Sequence, residues 1–337
     1  MSYLEDPAYE AAQFIRAWLG EGHLPDIAII CGSGLSALDG AVVDARRLSY
    51  ADIPAWPQST VQGHVGELVA GTIGDKHVLL LRGRFHAYEG YSARTAALPV
   101  RVFALLGAKV LVVTNAAGGM NPEFNVGDIM VIQDHIYIPG IAGNHPLVGP
   151  NHAAFGTRFP STAQVYDKSL QATLLAHADK AGLGEYMRHG VYVGVSGPSF
   201  ETPHELQALR RLGGDTVGMS TCPEVVTAAH CGMKVLGVSL VTNKCLLPGD
   251  DTTPLPTHDE VLEATSQRTA GLVKLMSATV AALDLSGYAA PVAATAPIPV
   301  KPAAPAKPVC GLRCVELLSA AAVGALVASA VLFASKR

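Results

Sequence analysis

V-Y-V-G-V-S-G-P-S-F-E-T-P at residues 191–203, followed by V-G-M-S-T-C-P-E at 217–224, decides how the chain is read. Residues 191–195 are a short β-branched and aromatic run, which predicts a buried strand. Ser196-Gly197-Pro198-Ser199 stops that strand and opens a loop carrying Phe200 and Glu201. Pro203 starts a helix, where its missing N–H is not needed, and Gly213-Gly214 end it. Residues 217–221 predict a second strand end, and Pro223-Glu224 begin another helix. Two strand-to-helix loops therefore offer an aromatic ring, a carboxylate, a thioether (Met219) and a hydroxyl (Ser220). Singly, each is an ordinary turn residue. Together, past the strand ends of an α/β sheet, they fit a ligand site.

Upstream, residues 9–20 carry apolar residues at helical spacing. Residues 26–31 form an apolar strand that runs into Gly32-Ser33-Gly34-Leu35. With Ala37 this matches the dinucleotide pattern GxGxxG/A, but residues 49–62 are proline-broken where that fold needs a second strand ending in an acid. A backbone nest with one hydroxyl, suited to a single phosphate, is the better reading. Residues 67–73 and 76–82 predict a hairpin around Gly74-Asp75. Arg84, His86 and Tyr88 then alternate, so an extended segment would turn all three to one side. A helix over 96–106 and a strand over 110–113 lead to Thr114-Asn115-Ala116-Ala117-Gly118-Gly119, small residues that admit a ligand close to the backbone. A strand over 126–132 follows, with Asp128 as a turn residue. A loop over 144–167 holds Phe159, and a helix covers 170–182. Beyond the central stretch come a helix at 224–231, a strand at 235–241 ending in Thr242-Asn243-Lys244, and a helix from His258 to about Leu283. Strands and helices alternate throughout, which predicts one α/β domain to about residue 285 without internal repeats.

Apolar residues make up 49% of the chain, enough for a substantial core, and the net charge of −4 comes without a basic run in the body, which argues against nucleic acid. None of the six cysteines shows paired CxxC spacing, so buried reduced thiols in a reducing compartment are expected and a structural metal is not. No secretory signal opens the chain. Residues 289–309 are almost all Ala, Pro, Val and Lys, the composition of a linker. Residues 317–335 are uncharged and as a helix would span roughly 28 Å, about one hydrocarbon thickness. The expectation is a domain over 1–286, a linker over 287–311, and a C-terminal hydrophobic helix over 312–337. That helix would tail-anchor a cytoplasmic enzyme to an intracellular membrane, with Cys310 and Cys314 placed to carry acyl chains.

Residues 5–285 resemble the trimeric, low-molecular-mass purine nucleoside phosphorylases. The likeness rests on Gly32-Ser33-Gly34-Leu35, on Gly83-Arg84-Phe85-His86 with Tyr88-Glu89-Gly90-Tyr91, on 113–119, on 197–202, on Gly218-Met219-Ser220-Thr221 and on Thr242-Asn243-Lys244. It implies a single α/β domain with a mixed, partly barrel-like sheet flanked by helices. It also implies phosphorolysis of inosine and guanosine in purine salvage, with phosphate as co-substrate and no cofactor or metal. By resemblance, Ser33, Arg84, His86, Ser220 and the backbone N–H of Ala116 hold phosphate, with His64 closing over it. Tyr88, Phe200 and Met219 lie against the sugar, with His258 near the 5′-hydroxyl. Phe159 reaches into the neighbouring subunit's site, which makes a homotrimer part of the mechanism. Glu201 and Asn243 meet the base, and His86, Glu201, Asn243 and His258 form the catalytic set. Two alternatives stand beside this. The related methylthioadenosine phosphorylases lack the Glu in this loop and carry Asp where Asn243 stands. A catalytically silent nucleoside-binding protein would share the fold. His135, His152, His189 and His204 carry no motif.

Overall fold

The computed structural model describes residues 6–32, 36–61, 65–250, 253, 255 and 257–295. In chain order the elements are α1 (Pro7–Leu19), β1 (Ile27–Cys31), β2 (Val43–Ser49), β3 (Glu67–Ile73), β4 (Lys76–Arg82), α2 (Ala93–Ala96), α3 (Leu98–Leu106), β5 (Val110–Gly119), β6 (Ile129–Tyr137), α4 (Ile138–Ile141), α5 (Lys168–Ala178), β7 (Met187–Gly194), α6 (Pro203–Arg211), β8 (Thr216–Gly218), α7 (Cys222–His230), β9 (Lys234–Lys244), α8 (His258–Ala282) and α9 (Val292–Thr295). The sheet order is β2-β3-β4-β1-β5-β8-β7-β6-β9, and β9 also pairs with β5. That last pairing closes β5, β8, β7, β6 and β9 into a ring, from which β1 and β4 extend in parallel and β3 and β2 in antiparallel fashion. The mixed, partly barrel-like α/β sheet expected from the sequence is thus present.

β1 and the first half of β5 are buried on both faces, which is why they read as unbroken apolar runs rather than alternating ones. Ala28, Ile30, Leu111 and Val113 pack on one side with residues of α1, α3 and α7. Ile27, Ile29, Val110 and Val112 pack on the other with α5 and α8. Asp6 caps α1 by accepting from Ala8 N–H at 3.0 Å, and its second oxygen accepts from Arg101 Nη1 at 3.0 Å, locking α1 to α3.

Several boundaries differ from the expected ones. β2 has no apolar alternation, since six of its seven residues are exposed; it is held by pairing to β3. β5 continues through 114–119 because those residues pair with β9 as far as Gly119 and Lys244. Tyr88 does not lie on an extended segment; residues Ala87–Glu89 form a 3-10 turn that stacks its ring on His86. Asp128 is more than a turn residue: it is buried, accepts from Asn125 N–H at 2.8 Å and pairs with Arg188 at 3.0 Å.

The chain divides into two units, Met1–Pro299 and Val300–Arg337, and the second lies outside the described residues. The expected linker does not leave the first unit at residue 287. Tyr288 Oη donates to Asp167 Oδ1 at 2.9 Å, and Ala293 of α9 is fully buried in the core beside α3. Alanine-rich sequence packs here because a methyl side chain lets two helices approach closely. The membrane-spanning helix is also corrected. No helix of the described residues is long and apolar enough to cross a membrane, and residues 312–337 lie outside them. The expectations of a transmembrane helix and of a membrane tether are withdrawn. A chain ending at residue 286 should therefore be less stable than one ending at 295 by about 2 kcal/mol, from the lost Tyr288 hydrogen bond and Ala293 burial. Calorimetry should show it melting roughly 5 °C lower; identical melting temperatures would mean that α9 adds nothing.

Candidate active site

A cavity of about 670 Å³ opens where strands of the ring meet in opposite senses. Residues 115–118 of β5 form one wall, and β8 passes them antiparallel, with Val217 opposite Gly118. The site thus lies along β5 rather than beyond its end. On the other edge of β5, pairing with β1 stops at Val113 and pairing with β8 starts at Gly118. Residues 114–117 pair with neither strand on that edge, so backbone groups such as Ala116 N–H can face a ligand.

One end of the cavity is rich in donors. Arg84 follows β4 and is almost wholly buried. Its Nε and Nη2 donate to Glu224 Oε1 and Oε2 at 2.8 and 3.1 Å, a two-pronged grip that fixes the plane of the guanidinium. Glu224 sits in the first turn of α7. His86 Nδ1 lies 3.0 Å from Glu89 Oε1. Burial lowers the His86 pKa, with the Glu89 hydrogen bond opposing the shift. Burial would raise Glu89, but donors on His86 and Thr60 outweigh it and hold its carboxyl at about 2. An ionised carboxylate only accepts, so Nδ1 carries the imidazole hydrogen and Nε2 carries none while the ring is neutral. Ser220 follows β8, its N–H donating to Tyr192 Oη at 3.3 Å. Arg84, His86, Ala116 and Ser220 all line this cavity, as their sequence motifs imply.

The lining also carries an aromatic ring, a carboxylate, a thioether and an amide. Phe200, Glu201 and Met219 come from the two loops of the central stretch, and Asn243 from the end of β9. Burial raises the Glu201 pKa above its ordinary value. Thr242 Oγ1 lies 3.2 Å from Asn243 Oδ1 and 3.4 Å from the Ala117 carbonyl oxygen, and Asn243 Nδ2 donates to the Lys244 carbonyl at 3.5 Å. A Cβ on Gly118 would sit 2.8 Å from Cys245 Sγ and 3.3 Å from Asn243 Nδ2, so this wall requires glycine. Tyr88, which also lines the cavity, stacks on His86 with ring centroids 4.5 Å apart.

Not every expected residue is brought together. Ser33, His64 and the side chain of His258 lie outside the described residues. Phe159 is 87% exposed and does not line this cavity. Conversely, Glu224, Glu89, Asn115 and Thr242 shape the site without having been assigned a role in it from sequence. Glu89, Asn115 and Thr242 lie within the quoted motifs, each next to an expected site residue. The Glu224–Arg84 pairing spans 140 positions, which no local pattern reveals.

The phosphorylase superfamily profile matches residues 26–278. The purine nucleoside phosphorylase of Bos taurus is 45% identical over 284 residues, covering 83% of this chain and 97% of its own. The chain belongs to the purine nucleoside phosphorylase family. Purine nucleoside phosphorylase 1 of Bacillus subtilis (strain 168) is 48% identical over 278 residues, 82% of this chain and 99% of its own. The Schistosoma mansoni purine nucleoside phosphorylase solved in complex with inosine superposes with a TM-score of 0.79 at 43% identity, covering 84% of this chain and 99% of that one. A Schistosoma enzyme in complex with guanosine gives 0.77 at 42% identity, over 84% and 99% of the two chains. As a purine nucleoside phosphorylase the chain is a pentosyltransferase, with inorganic phosphate as co-substrate and no cofactor.

Removing one member of the Arg84–Glu224 pair leaves a buried charge without its main counterion. Glu224→Ala should therefore lose about 3–5 kcal/mol in urea unfolding, while Arg84→Met with Glu224→Leu should lose less than that single change. A double variant less stable than Glu224→Ala would contradict this account.

Proposed function

We propose that the enzyme cleaves inosine and guanosine with phosphate, giving free purine base and pentose 1-phosphate in a purine salvage reaction. The observation that carries this reading is one cavity lined both by the donors of Arg84 and Ser220 and by the Glu201 carboxylate and the Asn243 amide. The reaction breaks the C1′–N9 bond while a phosphate oxygen bonds to C1′, through a sugar with oxocarbenium character. Phosphate is the nucleophile, so no side-chain nucleophile is required. Arg84, Ser220 and the Ala116 N–H hold it, and bare His86 Nε2 accepts the hydrogen of monohydrogen phosphate. Ser33 and His64 complete that grip. Tyr88, Phe200 and Met219 flank the sugar, with His258 at its 5′-hydroxyl.

The bond's electrons pass to the base. Asn243 Nδ2 donates to N7 as charge develops there, while ionised Glu201 accepts the N1–H of a 6-oxopurine. Glu201 and Asn243 together favour 6-oxopurines over methylthioadenosine, since the latter's 6-amino group calls for an acceptor at position 243. The exposure of Phe159 supports a homotrimer in which this ring closes the neighbouring subunit's sugar site. Among the described residues four cysteines are free thiols, three of them buried, which supports a reducing, cytoplasmic setting.

The test is phosphorolysis of inosine, guanosine, adenosine and methylthioadenosine with and without phosphate. Phosphate-dependent release of hypoxanthine and guanine is expected. Turnover of methylthioadenosine alone would overturn the base assignment, and binding without turnover would make the protein a silent one. Asn243→Ala should lower kcat for inosine by roughly 10²–10³-fold, as loss of one donor to a developing charge does. A near-native kcat would remove this role. Ionised Glu201 makes the stronger, charge-assisted bond to N1–H, and burial lifts its pKa. The acid limb of kcat/KM for inosine should therefore lie above the ordinary carboxylate value, activity falling as pH drops through it. Glu201→Gln should erase that limb; a variant that retains it would assign the limb elsewhere.

A further inference from the structure

Between β8 and α7 the backbone makes a turn that β-branched residues seldom adopt. Thr221 has φ +68° and ψ −54°, and Cys222 N–H donates to Ser220 C=O across it at 2.7 Å. The turn brings the hydroxyl oxygens of two consecutive residues, Ser220 and Thr221, to 3.1 Å. In a strand the same side chains would point to opposite faces. Thr221 is buried, and its Oγ1 accepts from Asn115 Nδ2 at 2.9 Å. Asn115 is 1% exposed, and its Oδ1 is buried without a hydrogen-bond partner among the described residues. A buried amide with one end unmatched is costly as packing, so its placement points to what the other end does.

The Asn115 amide donates to Thr221 Oγ1, and the contact between Thr221 and Ser220 can run in either sense. In one sense the three groups form a directed chain, with the Thr221 hydrogen donated to Ser220 Oγ. Ser220 then keeps its own hydrogen for a third acceptor. A serine hydroxyl offers an incoming group either its hydrogen or a lone pair. An anion binds only the first. We propose that Asn115 and Thr221 are positioning residues for the co-substrate, a hydrogen-bond relay that turns the Ser220 hydrogen into the donor-rich end of the cavity. This rests on the reading of Ser220 as a phosphate contact. The strained turn is what makes the relay possible, because a relaxed backbone would separate the two hydroxyls.

Steady-state kinetics on the full chain tests it. Thr221→Val keeps the branched shape and removes the hydroxyl; Asn115→Leu removes the amide at similar volume. Each should raise KM for phosphate about ten-fold, the effect of one hydrogen bond to a charged group. Each should leave KM for inosine within about two-fold, a change too small to count as a lost hydrogen bond. Thr221→Ser should restore the phosphate KM. In a Ser220→Ala background neither change should add to the phosphate KM, because both act through Ser220. Phosphate KM values near wild type in both variants would overturn the relay. So would an undiminished effect in the Ser220→Ala background, or parallel rises for inosine and phosphate, which would mark a general loss of structure. If Ser220→Ala itself leaves the phosphate KM unchanged, the phosphate reading of Ser220 fails and the relay with it. If Ser220→Ala raises it while the other two do not, only the relay fails. Should Thr221→Val not fold, Asn115→Leu carries the same comparison.

Discussion

Arg84 and Glu224 face each other with almost no access to water, one on the loop after β4 and the other in the first turn of α7. Either charge left there without the other would destabilise the fold by about 3–5 kcal/mol. Joined by two hydrogen bonds, they tie the extension of the sheet to the closed ring. The guanidinium is held in one plane, so its remaining capacity is aimed before any ligand arrives. The rest of the donor-rich end is built around that fixed point: His86 two residues on, locked by Glu89, and Ser220 just ahead of the helix that carries Glu224.

The ring supplies a second constraint. β5 takes part in it through β8 and β9, yet its edge between Val113 and Gly118 is left unpaired by either β1 or β8. A sheet that stayed open could not bring β8 back alongside β5, and one that paired fully could not offer backbone N–H groups to a ligand. Closure with a local gap does both. The loop after β7, with Phe200 and Glu201, lines the same cavity as Asn243 at the end of β9.

Much of this was legible in the sequence because local chemistry and global fold agree there. Gly and Pro mark the ends of β7 and α6 within a residue or two, and β3 and β4 match their expected limits at both ends. The motif residues Arg84, His86, Glu201, Ser220 and Asn243 converge on one cavity. What stayed hidden was non-local. β2 has no apolar face to announce it, because pairing with β3 rather than burial makes it a strand. The length of β5 depends on its partner β9, since its own Gly and Ala residues look like a loop. Glu224 and Asn115 act on residues far away in the chain. Alanine misled twice: residues 288–295 pack where a linker was expected, and the same residue type lent weight to a membrane helix that the described structure does not contain.

Gly118 bears on how the pocket can change over time. Its bare α-carbon is the reason Cys245 and Asn243 can both close on the base end. Any replacement there adds bulk, so this wall can only contract. New room for a larger or differently substituted ring has to come from the side chains packed around that glycine, Cys245 among them, and not from residue 118 itself. The glycine is a one-way valve on the repertoire of bases the lineage can explore, and the variation that diversifies selectivity should collect on those neighbours.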